Sequence, residues 1–245
     1  MKYLASIQDF FKSPKWGMNM LLGAVMTLIP VAGPMVISGW QITGFWSRQT
    51  DEDPARFPDF DFQHFSKYLQ RGLWPFLVSL VASIALVPVI MVVMFVGMGI
   101  LGAFASGSSP NQAKGALALV AVLVLVGLYV AFILVMMLIQ TPLIIRATIT
   151  QDFGAAFNLA FVKRFLGLVW WETILAMMFT TLASLGLLIV GVLACFVGIY
   201  LTVPVISYVW HHLQKQLYQL YLSRGGEPVP VSPKLSDAPP AVPAV

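Results

Sequence analysis

Residues 170–210 read WWETILAMMFTTLASLGLLIVGVLACFVGIYLTVPVISYVW, and this run decides the fold. An α-helix rises about 1.5 Å per residue, so one helix of these 41 residues would extend roughly 61 Å. That length is about twice the hydrocarbon thickness of a bilayer. We therefore expect two membrane helices here, with a turn between Gly186 and Gly198, where three glycines occur.

The composition of the whole chain agrees with a lipid environment. Of the 245 residues, 59% are apolar and only 10% are charged, whereas a soluble domain carries about 25% charged residues. Three further apolar stretches, 16–46, 74–105 and 115–145, are each longer than the roughly 18 residues that indicate a membrane helix. These stretches predict a helical membrane protein.

The distribution of Lys and Arg distinguishes two ways of threading the chain. Four straight spans would place seven of the fourteen basic residues on each side of the membrane. Six segments, arranged as three helical hairpins, place thirteen on one side and only Lys114 on the other. Because basic residues favour the cytoplasmic side, we predict an all-α, polytopic protein with six segments and both termini in the cytoplasm. Four spans are the alternative.

The first apolar stretch is interrupted by Pro30-Val-Ala-Gly33-Pro34. A proline inside a helix costs about 3 kcal/mol, so we expect Pro30, Gly33 and Pro34 to separate two arms. Each arm would be only about 20 Å long, shorter than the hydrocarbon core. The first hairpin therefore either spans the membrane or re-enters from the same side.

The three predicted hairpins share a pattern of prolines. Pro34, Pro142 and Pro204 each lie one to two turns before the end of a second helix, and Pro142 and Pro204 are further predicted helix-break positions. Trp40 and Trp210 follow six residues after two of them, at the depth of the headgroups, where Trp is enriched. Either the chain contains a threefold repeat, or prolines and interfacial tryptophans coincide here.

A short aromatic segment precedes each predicted hairpin. In the segment at 60–71 the charged residues lie largely on the opposite face, in the one at 153–165 they lie near the two ends, and the N-terminal segment shows the pattern more weakly. This pattern predicts amphipathic helices in the cytoplasmic interface, with their aromatic faces toward the lipid. The interfacial side chains predicted in addition to the two tryptophans above are Phe62, Phe65, Phe157, Phe161 and Trp170. A helix-like pattern also continues beyond Trp210 to Leu222.

The chain divides into two parts by composition. Residues 1–222 form a single helical transmembrane domain in this prediction. Residues 223–245 contain two adjacent glycines and six prolines, which is typical of a disordered, proline-rich tail, here on the cytoplasmic side.

Few residues suggest chemistry. Asn19, Gln140 and Glu172 are the polar candidates in or near the membrane, where they either bond helices together or face a small cavity. The carboxylates between residues 51 and 61 lack the spacing of a calcium loop and are interpreted as a solvated loop. We recognise no catalytic constellation, and we predict no cofactor and no metal site.

The first half of the chain carries a series of small motifs in a distinctive order. They are Leu21-Leu-Gly23, Ile29-Pro30, Gly39, Gln41-Ile-Thr-Gly44, Phe57-Pro-Asp-Phe60 and Gly72. This order resembles that of a prokaryotic integral-membrane family, domain of unknown function 4013, over most of residues 10–215. The resemblance departs at Trp40 and Phe57, where the family has other apolar residues. It implies a multi-pass protein of the cytoplasmic membrane, with no established activity to carry over.

These observations favour a non-enzymatic scaffold or accessory protein, because ionisable residues are nearly absent from the predicted helix centres and an ion-coupled pump needs them. The expected partners are membrane lipids and either a second copy or another membrane protein, with no nucleic acid. The alternative is a lipid or small-solute transporter, or a pore, built from proline-broken helices. An enzyme acting on lipid is a third hypothesis. The sequence does not specify a substrate, a partner or an oligomeric state.

Overall fold

The computed structural model describes residues 1–47, 53–105, 112–194 and 196–235. Within these residues the chain is helical and contains no strand. The eight α-helices are α1 (Tyr3–Gln8), α2 (Trp16–Thr27), α3 (Ala32–Trp46), α4 (Phe65–Ala105), α5 (Gln112–Thr150), α6 (Phe153–Ala156), α7 (Leu159–Leu193) and α8 (Val197–Ser223). Short 3₁₀ helices occupy Asp9–Lys12, Pro54–Arg56, Phe62–His64 and Pro233–Leu235.

Three helical stretches are long and apolar enough to cross a membrane: Phe62–Gly99, Leu119–Thr150 and Leu159–Leu193. They coincide with three of the four apolar stretches in the sequence. Helices α2 and α3, of 12 and 15 residues, are each shorter than the roughly 20 residues that a spanning helix needs.

Helical structure is interrupted at both places where an apolar stretch is predicted to turn. Helix α7 ends at Leu193 and α8 begins at Val197, inside the interval predicted from the length argument. Helix α2 ends at Thr27 and α3 begins at Ala32, next to Pro30. These breaks confirm that neither apolar stretch is one continuous helix.

The turn residues are not the glycines. Val31 has φ +65° and Phe196 has φ +63°, a backbone conformation that is costly for side chains of this size. At Val31 the amide of Ala32 donates to the carbonyl of Pro30 (2.7 Å), which closes a tight γ-turn. Glycines serve the close approach of the flanking helices instead: a Cβ on Gly198 would lie 2.7 Å from the carbonyl oxygen of Gly191.

Of the five predicted break positions, Pro30 lies in the turn between α2 and α3, and Gly33 and Pro34 lie in the first turn of α3. The other two positions do not interrupt their helices. Helix α5 continues through Pro142 and α8 continues through Pro204, and both prolines are buried. A proline is tolerated inside a packed helix when neighbouring groups satisfy the backbone around it. Around Pro204 this condition is met, because its carbonyl accepts a hydrogen bond from the Gln41 amide (2.8 Å) and its ring packs on Gly23.

The predicted aromatic segments form helical structure with different boundaries. The segment before α4 is not a separate amphipathic helix: it forms the 3₁₀ turn Phe62–His64, capped by Asp61, and then joins α4. The segment from Phe153 to Phe165 is not one helix either, because Asn158 caps the start of α7 by accepting from the Phe161 amide. A kink at Val169 (φ −138°) separates the first ten residues of α7 from the rest.

Two compact units make up the structure. Unit 1 comprises residues 1–78 and 141–245 and contains the described aromatic core, whereas unit 2 comprises residues 79–140. In unit 2 large apolar side chains are exposed on α5, among them Leu119 (61%), Leu123 (61%) and Leu128 (64%). Such a surface is unfavourable in water and is typical of helices that contact lipid.

Candidate functional site

An aromatic cluster in unit 1 joins four segments that are distant in the sequence. Tyr208 of α8 lies at its centre and is only 2% exposed. Its ring centroid lies 5.3 Å from that of Phe10, 4.9 Å from that of Phe45 and 5.0 Å from that of Phe57. Aromatic pairs at these distances contribute about 0.5–1.5 kcal/mol each beyond their buried area. The cluster therefore holds the N-terminal segment, α3 and the loop before α4 against α8.

A cavity of about 700 Å³ opens beside this cluster, between the N-terminal segment and the second half of α8. Its floor is formed by Phe45, Phe57 and Tyr208. Its rim carries charged and polar groups, namely Lys2, Asp9, Lys12, Asp53, His212, Lys215 and Gln216. Its volume and its apolar floor with polar groups around it make this cavity the candidate site of the described residues.

The N-terminal segment forms one wall of the cavity and is fixed to α8 by its backbone. The Lys2 amide donates to the Gln216 side-chain oxygen (2.6 Å), and the Gln216 amide donates back to the Lys2 carbonyl (3.3 Å). Lys12 pairs with Asp9 on the same wall (2.7 Å). These hydrogen bonds and this ion pair hold the wall in place in the folded structure.

Asn19 fixes the loop that supplies Phe57 and Phe60. Its side-chain oxygen accepts from the Phe60 amide (2.9 Å), and its amide donates to the Asp59 carboxylate (3.1 Å). The same carboxylate pairs with Lys15 (3.1 Å). Asn19, which the sequence places in a membrane segment, therefore uses its side chain to bond this loop to α2.

Replacing Asn19 by leucine is expected to cost about 2–3 kcal/mol of stability, because the buried Phe60 amide loses its acceptor. Thermal unfolding in detergent, together with limited proteolysis of residues 53–62, measures this loss. Met18→Leu is the matched control, since Met18 is 55% exposed and adjacent in the same helix. Equal melting temperatures for the two variants would contradict the assigned role of Asn19.

His211 is buried between α3 and α8, with Nε2 3.0 Å from the Ser38 hydroxyl. Burial lowers its pKa from 6.5 to about 4, and neighbouring Gln214 opposes this shift only in part. The imidazole is therefore neutral at physiological pH. It serves as a hydrogen-bonding group and not as a cation.

The depressed pKa of His211 makes stability pH-dependent in a defined direction. Because the pKa in the folded state lies below 6.5, the folded protein binds fewer protons, and stability is lost as pH falls from about 6.5 toward 4. Between pH 7 and pH 5 we expect a loss of about 2 kcal/mol from this group. Thermal unfolding measured across this pH range tests this. The loss of stability between pH 7 and pH 5 should be smaller by this amount in His211→Gln, whereas His64→Gln, at an exposed position, should show the full loss.

Two more polar contacts cross between helices of unit 1. Gln41 donates to the Pro204 carbonyl and accepts from the Ser207 hydroxyl (2.6 Å). The Arg71 guanidinium is 2% exposed and donates to the Thr43 hydroxyl (2.8 Å). These bonds position α3, α4 and α8 in the interior.

The predicted interfacial residues lie in different environments. Trp40 is 1% exposed and its indole N–H donates to the Pro58 carbonyl (2.8 Å), and Phe161 is packed in the core under the Arg146 guanidinium. Phe65 and Trp210 are half-buried. Three others have exposed rings: Phe62 (48%), Phe157 (41%) and Trp170 (51%). Their depth in a membrane stays a prediction.

The remaining predicted residues lie apart from the cavity. The Gln140 amide is 3.5 Å from the Ser79 carbonyl, both within unit 2. Glu172 forms an ion pair with Arg224 just beyond the end of α8. Pro30 and Pro34 are exposed, and Gly33 allows the start of α3 to approach the carbonyl of Met26.

Among the described residues, no group of three His, Cys, Asp or Glu side chains is placed to hold a metal ion. Asp51 and Glu52 of the predicted carboxylate loop lie outside the described residues. Asp61 accepts from the Gln63 amide and Asp59 is held by Asn19, so both participate in loop structure.

Sequence reasoning missed the residues that define the cavity. Tyr208 lies near the end of the apolar stretch 170–210, and nothing local distinguishes it from the exposed Tyr200. The one usable signal was the position of His211 and His212, since polar residues on a helix mark where it leaves the apolar region.

A family model described as protein of unknown function (DUF4013) matches residues 22–198, which is more than half of the chain. No curated protein and no solved structure matches the chain. The matched residues include α3 and, of the aromatic cluster, Phe45 and Phe57 but not Phe10 or Tyr208. They also cover the region of the motifs quoted from the sequence. The chain therefore belongs to the DUF4013 family of proteins of unknown function.

Proposed function

We propose that this protein is a multi-pass membrane scaffold or accessory protein, with six membrane segments in three pairs and both termini in the cytoplasm. It acts without catalysis, and it presents the cavity between the N-terminal segment and α8 to a membrane partner. The partner is either a second copy or another integral membrane protein, and lipids surround the apolar helices.

The observation that carries this proposal is the use of the polar side chains in and near the apolar segments. Asn19 accepts a hydrogen bond from the loop before α4, and Gln41 is hydrogen-bonded to the Pro204 carbonyl and the Ser207 hydroxyl. Glu172 forms an ion pair with Arg224. A permeation path or an acid–base site needs polar groups that face the substrate. Side chains committed to helix contacts favour a structural role.

The position of the cavity supports the assignment of its partner. The cavity rim is built from residues near the N-terminus, the start of the loop after α3 and the end of α8. All three segments belong to the basic side of the six-segment threading. A cytoplasmic-facing site with an aromatic floor suits an amphipathic segment of another membrane protein.

Flux measurements separate the scaffold from a transporter or pore. Purified protein in liposomes is expected to conduct ions and to exchange fluorescent lipids no faster than protein-free liposomes. Robust flux that Asn19→Ala or Gln140→Ala abolishes would overturn the scaffold proposal in favour of transport.

Site-specific crosslinking tests the partner site directly. A photo-crosslinking residue at exposed Gln219 on the cavity rim is expected to trap one defined membrane polypeptide or a second copy of the chain. The same residue at Leu182, exposed on the apolar part of α7, is the control for lipid-facing positions. Identical adduct patterns at both positions would reject the cavity as the site.

A further inference from the structure

Residues 227–235, with the sequence EPVPVSPKL, follow α8 and belong to unit 1. Helix α8 ends at Ser223, and Gly225 turns the chain back with φ +85°, which glycine adopts without strain. The Gly226 amide then donates to the Tyr221 carbonyl (2.9 Å). The sequence predicts disorder for this segment, whereas the structure packs it through Leu235; residues 236–245 lie outside the described residues.

Three backbone amides of this segment donate to residues of α5 and α8. The Glu227 amide donates to the Tyr221 hydroxyl (3.0 Å), and the Val229 amide donates to the Tyr218 hydroxyl (2.7 Å). The Ser232 amide donates to the Ile149 carbonyl (2.9 Å). Pro228 and Pro230 alternate with the first two donors and have no amide hydrogen to satisfy. The two prolines therefore leave no amide to be bonded at positions 228 and 230.

Side chains of the segment fill apolar space. Val229 is 5% exposed and belongs to the core cluster that contains Ile149, Tyr218 and Tyr221. Leu235 is fully buried. The residues between them, Pro230 and Val231, are exposed. Val229 and Leu235 are therefore two buried anchors on either side of an exposed stretch, and the second anchor ends the 3₁₀ helix Pro233–Leu235.

Two arginines complete the contact at its ends. Arg164 forms an ion pair with Glu227 and donates to the Gly225 carbonyl (2.9 Å). Arg71 donates to the carbonyls of Lys234 (3.0 Å) and Leu235 (3.2 Å). Between these ends, the Lys234 ammonium lies 5.6 Å from the centre of the Trp74 ring.

We propose that this surface is a recognition groove for extended, proline-containing peptides and that residues 227–235 are its resident ligand. The groove consists of Tyr218, Tyr221, Ile149, Arg71 and Arg164. A proline-rich segment is already extended when free, so docking it costs less conformational entropy than docking other chains. The tail is therefore a ligand held in cis, and it can be exchanged for an identical segment supplied in trans. This groove is separate from the cavity and does not depend on the scaffold role.

The intact chain provides the first test. By hydrogen exchange, the amides of Val229 and Ser232 are expected to exchange at least tenfold more slowly than that of exposed Val231. The Tyr218→Phe variant should accelerate exchange at Val229 about tenfold, because it removes the acceptor. Tyr200→Phe, which removes an exposed hydroxyl from the same helix, should change nothing. Equal exchange rates along the tail would overturn the proposal.

A second test measures peptide recognition itself. A protease site is inserted between Gly225 and Gly226 of the full chain, and the purified, folded protein is cut afterwards. The cut tail is expected to exchange with a fluorescent peptide of residues 226–235, followed by anisotropy. A scrambled peptide of the same composition should bind at least tenfold more weakly, and so should the native peptide to the Tyr218→Phe protein. Equal binding of the two peptides, or no binding of either, would refute the groove.

Discussion

Replacement of Gly39 by alanine is expected to disrupt the packing of α3 on α4. A Cβ at Gly39 would lie 1.7 Å from the Tyr68 carbonyl oxygen, and a Cβ at Gly72 would lie 1.9 Å from that of Met35. The obstructing atoms belong to the backbone, so a side-chain rotation cannot relieve the overlap. The two helices must separate, and we expect a loss of about 3 kcal/mol or more. The measurement is the melting temperature in detergent, with the yield of monodisperse protein.

Gly167→Ala is the matched control for this substitution. Gly167 lies in α7 with no atom near the position of an added Cβ. Alanine there should be neutral or should stabilise by about 0.5–1 kcal/mol, because it favours the helix. If Gly39→Ala unfolds at the same temperature as Gly167→Ala, the backbone contact between α3 and α4 is not present.

Replacement of Tyr208 by alanine is the second substitution with a large expected effect. Tyr208 contacts rings from the N-terminal segment, α3 and the loop before α4, so its removal leaves a hole where these elements meet. A buried aromatic residue replaced by alanine costs about 3–5 kcal/mol. Because the ring also forms the cavity floor, the crosslink from Gln219 should be lost with it.

Tyr200→Ala is the control that distinguishes the loss of the Tyr208 contacts from the loss of any tyrosine in α8. Tyr200 lies in the same helix and is 46% exposed, so its replacement should cost less than about 1 kcal/mol. A comparable loss in both variants, measured by thermal unfolding, would show that the aromatic cluster does not organise this part of the protein.

The helical class and the helix breaks were predictable because both follow from local sequence and length. The run at 170–210 is too long for one helix, and Pro30 interrupts 16–46, so the turns at both places needed no knowledge of tertiary contacts. The same local argument failed at Pro142 and Pro204. Whether a proline ends a helix depends on partners such as Gln41, which lies 163 positions from Pro204.

The candidate site was much less predictable. Its parts come from both ends of the chain, and the pairs that assemble it, such as Lys2 with Gln216, have no local signature. The proline-rich tail shows the same limit. Its composition indicates disorder, yet two tyrosine hydroxyls and two arginines placed by other helices supply the contacts that hold it.

The six-segment threading is the central claim, and cysteine accessibility in a Cys195→Ala background tests it most directly. Single cysteines replace Gln63, Asp152 and Ser223, all exposed, and Ala194 in the turn before α8. With a reagent that cannot cross the membrane of intact cells, the account predicts that only Ala194→Cys is labelled. Labelling of the cysteines at 63 and 152 from outside, with the one at 223 protected, would contradict it and establish four spans.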